Sequence, residues 1–129
     1  MDLHPYTDDN SLPEDSAVAK WCTMCEEGIQ KLGLTLRITG HDLADKMRQA
    51  GFVNVRVQQF KIPIGVWPAD PKMRETGTFQ LVALLDGLSG LSVALFTRVW
   101  GWSMEELEIF LAKVRAEWKN RKVHTYWPV

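Results

Sequence analysis

Apolar residues recur along most of the chain at three- and four-residue spacing, and only two short stretches alternate at period two. The first helical stretch opens at Ser11 and Glu14, an S-x-x-E capping box with Pro13 in its first turn, and runs to about Leu32. Val18, Trp21, Cys22, Cys25, Ile29 and Leu32 give it one apolar face, and Gly33 stands where a C-terminal glycine belongs. A shorter helix is expected from about Gly40 to Ala50, with Leu43, Ala44 and Met47 on its apolar side and Gly51 as its stop. Phe52, Val53, Asn54, Val55, Arg56 and Val57 then alternate as a half-buried strand does. That strand continues through Phe60 to Ile62, where Pro63 ends regular pairing.

The loop PIGVWPADP is dense in turn residues, and Asp70 before Pro71 supplies an N-cap followed by an N1 proline. The next helix carries Met73, Leu81, Leu84, Leu85 and Leu88, with Gly87 and Gly90 expected to punctuate it. LSVALFTRVW follows, apolar nearly all round apart from Arg98, and so buried on several sides or facing a partner or ligand. Ser103 and Glu106 form a second capping box. Behind it Met104, Leu107, Leu111, Val114 and Trp118 face in, while Glu105, Glu108, Lys113 and Arg115 face out. Val123 to Trp127 has strand character. The order is helix, helix, strand, three helices, strand: an α+β, mostly helical fold of about five helices.

At 129 residues the chain is expected to form a single domain, with residues 1–10 an irregular lead-in. Apolar residues make up 46% and charged residues 24%, a globular rather than disordered balance. Fifteen basic and 16 acidic side chains leave a net charge of -1 with no basic stripe, so no nucleic-acid partner is expected. Apolar stretches fall short of the ~20 residues of a membrane span, so no membrane partner is expected. The acidic start MDLHPYTDDN is neither a secretory nor a transit signal, and the expected location is the cytoplasm. Cys22 and Cys25 form a lone C-x-x-C with no second Cys or His pair, and they share a helical face as small core residues do. No metal site is expected on this ligand count. The six tryptophans fill cores, but such rings also line cavities and interfaces.

Four strings together carry a resemblance: DDNSLPEDS, QAGFVNVRVQQFKIPIGVWPADP, GLSVALFTRVWGWSMEELEIFLAKVR and RKVHTYWPV. They resemble the C-terminal part of fungal LaeA-like S-adenosylmethionine-dependent methyltransferases, over nearly the whole chain from Tyr6 to Val129. P-I-G-x-W-P around Trp67 and LFTRVWGWS are the specific parts. The resemblance implies a truncated class I methyltransferase-like remnant, with the strands at 53–62 and 123–129 matching the sixth and seventh of the parent sheet. The donor-binding N-terminal half, with its glycine-rich turn and acidic ribose residue, has no counterpart here. Self-sufficient methyl transfer is therefore not expected, and no cofactor is expected. A two-stranded antiparallel sheet is marginal alone and would leave one edge bare. The expected outcome is a homodimer with the sheet extended across it.

Three functions fit such a remnant. The first is a cofactor-independent cyclase or isomerase that binds a small apolar biosynthetic intermediate in fungal secondary metabolism. Trp67, Phe79, Phe96, Trp100 and Trp102, with Asp86 and Arg98, are its candidate cavity residues. Plain core packing is the competing reading for those aromatics. His124 and Tyr126 share a strand face, and His41 sits beside Asp42; these four are the candidates for acid–base work. The second function is an interaction module that pairs with a full-length methyltransferase or regulator. The third is a split methyltransferase half, active only beside a donor-binding chain.

Overall fold

The computed structural model describes residues 4–36 and 38–129; Met1, Asp2, Leu3 and Arg37 lie outside the described residues. The irregular lead-in expected over 1–10 is thus described only from His4 onward. The elements are α1 (Ala17–Lys31), α2 (Gly40–Gln49), β1 (Lys61–Ile64), α3 (Pro71–Ala94), a π-helical turn at Leu95–Val99, α4 (Met104–Trp118) and β2 (Thr125–Pro128). The α+β class and the two-stranded antiparallel sheet are as the sequence implies, with four α-helices and a π turn in place of five helices.

α1 starts later than its sequence box suggests. The Ser11 hydroxyl accepts the His124 N–H at 2.8 Å instead of capping a helix. The cap is Ser16, whose Oγ accepts from Ala19 N, while Ala17 and Val18 donate their free N–H groups to the Glu117 carboxylate at 2.9 and 2.8 Å. A carboxylate suits a helix N-terminus, and this one comes from α4, so it ties the two helices together. α1 then buries Val18, Trp21, Cys22 and Cys25 along one stripe. Trp21 is the centre of that stripe: its Nε1 donates to Ser92 Oγ at 2.8 Å and its ring meets Trp118 edge-on at 5.5 Å.

Gly87 and Gly90 do not punctuate. α3 runs through both and passes without a break into the π turn, so Pro71–Val99 is one helix of 29 residues. An interior glycine costs about 1 kcal/mol against alanine, less than burying Leu84, Leu88 and Ser92 in one core returns. The continuous helix overturns the expectation that apolar stretches are too short to span a membrane. By length and composition alone it is sufficient, and although one face of α3 packs into the core through Leu84, Leu88 and Ser92, only 28% of its most apolar window is buried. Gly77 has a steric role. A Cβ there would lie 2.2 Å from Gly65 O, and the Gly65 N–H donates to Gly77 O at 2.9 Å where α3 crosses the end of β1.

The strand expected from Phe52 onward begins only at Lys61. β1 pairs with β2 in the register Lys61↔Pro128 to Ile64↔Thr125, and Phe60 and Val129 add one more pair through mutual hydrogen bonds of 2.7 and 2.8 Å. Residues 52–59 make no ladder among the described residues, Asn54 turns the backbone with a φ of 58°, and Val53 is 82% exposed. The outer edge of β2, expected to be bare, is partly covered: Tyr6 and Tyr126 exchange hydrogen bonds of 2.9 and 3.0 Å.

Candidate functional site

β2 starts at Thr125 and not at Val123 as the sequence suggests, so His124 stands just before the strand and Tyr126 within it, and the structure gives each an acidic partner from the N-terminal segment. His124 Nδ1 lies 2.6 Å from Asp9 Oδ2, and its ring lies 5.3 Å from that of Trp67. Trp67 is fixed by its own Nε1, which donates to Thr125 O at 3.1 Å. Two residues along, the Tyr126 hydroxyl donates to Asp8 Oδ1 at 2.9 Å, and Lys61 Nζ reaches Asp8 Oδ2 at 2.6 Å while lying 4.5 Å above the Tyr126 ring. The Tyr6 ring stacks against Tyr126 from the other side at 6.2 Å.

The charges in this cluster reinforce one another. Hydrogen bonds from Ser11 and then from His124 hold the Asp9 carboxyl down at about 2. Hydrogen bonds from Lys61 and Tyr126 lower Asp8, and Asp8 in turn raises Lys61. Both carboxyls are therefore ionised at neutral pH. Asp9 can hold His124 in the tautomer with hydrogen on Nδ1, which leaves Nε2 as a base. The Tyr126 O–H is already engaged as a hydrogen-bond donor to Asp8. In the fold, the two carboxylates clamp the N-terminal segment across the face of β2.

The other predicted site residues lie apart. His41 lines a cleft of about 830 Å³, and Asp42 is consumed by a capping box: its Oδ2 accepts from Thr39 N at 2.8 Å and from Thr39 Oγ1 at 2.7 Å, which lowers its pKa. Phe96 is fully buried and forms a ring cluster with Trp102 and Phe110 at 5.1 to 5.8 Å. Trp100 closes the end of α1, with Nε1 donating to Met24 O at 3.1 Å and Lys31 lying 3.9 Å over its ring. Phe79 is 70% exposed on α3, and Asp86 and Arg98 are exposed as well. Trp67, Phe79, Phe96, Trp100 and Trp102 thus do not enclose a common cavity. Cys22 and Cys25 are buried and form no disulfide, and desolvation pushes the Cys25 thiol up to about 12, where it is inert.

This cleft of about 830 Å³ is lined by His4 and Tyr6, by Ile38 to His41 and Leu43 at the start of α2, by Val57 to Gln59, and by Pro128 and Val129 at the end of β2. A smaller depression of about 310 Å³ adjoins it over Tyr6, Gln59, Lys61, Tyr126 and Pro128. Asp8, Asp9, Ser11 and Lys61 were missed by sequence reasoning. The acidic pair in TDDNS was the available signal, but its partners lie 53, 115 and 118 residues away.

The chain is 35% identical over 127 residues to the probable methyltransferase tdiE of Emericella nidulans, a match covering 98% of this chain and 40% of that protein. It is 32% identical to the methyltransferase pytC of Aspergillus terreus, over 92% of this chain and 36% of that protein. Against the secondary metabolism regulator LAE1 of Cochliobolus heterostrophus the figures are 30%, 98% and 41%. No protein-family model and no solved structure matches the chain. The homologues are fungal LaeA-like and methyltransferase proteins, as the motifs around Trp67 and Trp100 implied, and the chain spans about two fifths of their length.

Proposed function

We propose that this chain, homologous to a part of fungal LaeA-like methyltransferases, is the portion of a methyltransferase-like unit that does not hold the methyl donor, and that it serves secondary metabolism once a donor-binding domain covers it. One observation carries this reading. The arm of α2 and residues 52–60 leaves six large apolar side chains exposed: Leu43, Met47, Phe52, Val53, Val57 and Phe60. So many exposed apolar side chains within about twenty residues support a covered interface there. The test pairs the full chain with the stretch of pytC that its match leaves uncovered, and measures retention of labelled S-adenosylmethionine. The expected result is retention by the mixture above that of either component. Equal retention by the pytC stretch alone would sink the reading.

A second reading, cofactor-independent cyclisation or isomerisation of an apolar intermediate, is favoured by the His124–Asp9 pair two residues from Tyr126, which lines a depression with Tyr6, Gln59, Lys61 and Pro128. On this reading His124 Nε2 takes a proton from the bound molecule while Trp67 and Tyr126 shape the site. It requires the purified chain to convert such an intermediate without S-adenosylmethionine, and His124→Gln to abolish that turnover while leaving the unfolding midpoint in place. Turnover that survives His124→Gln removes His124 from the chemistry.

A further inference from the structure

Asp86 and Arg98 stand on the apolar part of the Pro71–Val99 helix, and neither makes an ion pair among the described residues. No basic residue lies within four positions of Asp86, and no acidic one within four of Arg98, so neither is paired along its own helix. The two charges close a row. Asp86, Gly90, Ala94 and Arg98 follow at intervals of four, and all four are exposed. Residues four apart form a ridge on a helix surface. This ridge is low in the middle, where a Cβ on Gly90 would meet nothing within 4 Å, and carries opposite charges at its ends. Leu91 beside it is 53% exposed. Only 28% of the most apolar window of this helix is buried, so most of that apolar surface has no cover among the described residues.

We infer that this face docks on the same face of a second copy of the chain, with the two helices antiparallel about a two-fold axis between Gly90 and Ala94. A two-fold contact needs a surface complementary to itself. The row has that property. Reversed end to end, it sets Asp86 of one copy against Arg98 of the other and Gly90 against Ala94, so all four unpaired charges gain partners at once. Parallel helices in the same register would set Asp86 against Asp86 and Arg98 against Arg98. The small residues at the centre let the helix axes approach to about 8 Å, the near end of the range for packed helices. A lipid surface suits the face less well, since Asp86 would enter hydrocarbon without a partner. The contact is one helix wide, smaller than a standard stable interface, so association in the micromolar range is expected. This surface lies outside α2 and residues 52–60, and the inference stands independently of the donor-domain reading.

The test is sedimentation velocity on the full chain, from about 1 to about 200 μM, with charge reversals along the row. Wild type is expected to pass from monomer to dimer across that range. Asp86→Arg sets arginine against arginine at both ends of the contact, and Arg98→Asp sets aspartate against aspartate. Each variant alone is expected to associate about tenfold or more weakly than wild type. Mixed in equal amounts, the two variants again oppose unlike charges at both ends, and the mixture is expected to dimerise as wild type does. Gly90→Leu holds the helices apart and is expected to abolish the dimer. Its thermal midpoint should be no lower than that of wild type, because the new side chain enters open space and an interior helix glycine is removed. The inference is overturned if wild type stays a monomer throughout, or if Asp86→Arg or Gly90→Leu dimerises as well as wild type. It is overturned too if the mixture associates no better than its components, since the charges then do not meet across the contact. A monomer that pellets with phosphatidylcholine vesicles would assign the face to lipid and likewise overturn it.

Discussion

α4 and α2 start alike and end differently. Each opens with a complete capping box, Ser103 with Glu106 and Thr39 with Asp42, in which side chain and backbone satisfy each other's donors. α4 goes on to bury Leu107, Phe110, Leu111, Val114 and Trp118 against α1, α3 and the sheet, whereas α2 buries only Ala44. A cap fixes where a helix begins, and it carries no information about whether the helix has anything to pack on. Most helical stability in a protein comes from the packed face, so the two regions should respond to substitution on different scales.

Trp21→Ala should have the largest effect. It removes a fully buried ring, its hydrogen bond to Ser92 and its edge contact with Trp118, for a loss of roughly 3–5 kcal/mol in urea unfolding. A loss below about 1 kcal/mol would mean the helical layer is no better packed than the arm. Next is Gly77→Ala, whose Cβ cannot sit 2.2 Å from Gly65 O; displacing α3 from β1 should cost about 1–3 kcal/mol by the same measurement. In the arm, Leu43→Ser and Val53→Thr should each change stability by less than about 0.5 kcal/mol, while binding of an apolar dye falls. A large loss there would show that α2 packs on something after all.

The smallest effect is a pH dependence. Asp9 ionises more readily in the folded chain than at its ordinary 3.8, so its contribution is present above about pH 4 and lost as pH falls through about 2. Asp8 is lowered as well and acts in the same direction. Thermal midpoints of wild type and Asp9→Asn should therefore converge as pH drops across that window. Parallel curves would mean that the clamp on β2 does not depend on Asp9.

Local signals were legible where the chain satisfies itself locally. The Ser103 box, the Asp70–Pro71 start, and the turns at Gly33 and Gly51, both with positive φ, are all where the sequence places them. Failures occur where a distant group intervenes. Ser11 serves His124 instead of a helix, and Glu117 caps α1 from the far end of the chain. The alternation from Phe52 to Val57 is genuine strand pattern, but pairing needs a neighbour that periodicity cannot supply. Of the candidate site, His124 and Tyr126 were readable from their shared face, and Trp67 from its motif. Their carboxylate partners were not, because no local spacing relates residues 8 and 9 to residues 124 and 126.

The two sheet prolines also bear on how the protein will age in solution. Proline and lysine on a strand edge are the usual guards against uncontrolled growth of a sheet, and Lys61, Pro63 and Pro128 guard this one. Residues 52–59 have no such guard beyond Arg56 and present Phe52, Val53 and Val57 to solvent. Any fibril seeded on long storage should therefore have this stretch as its protease-resistant core, and a lysine at Val53 should delay its onset.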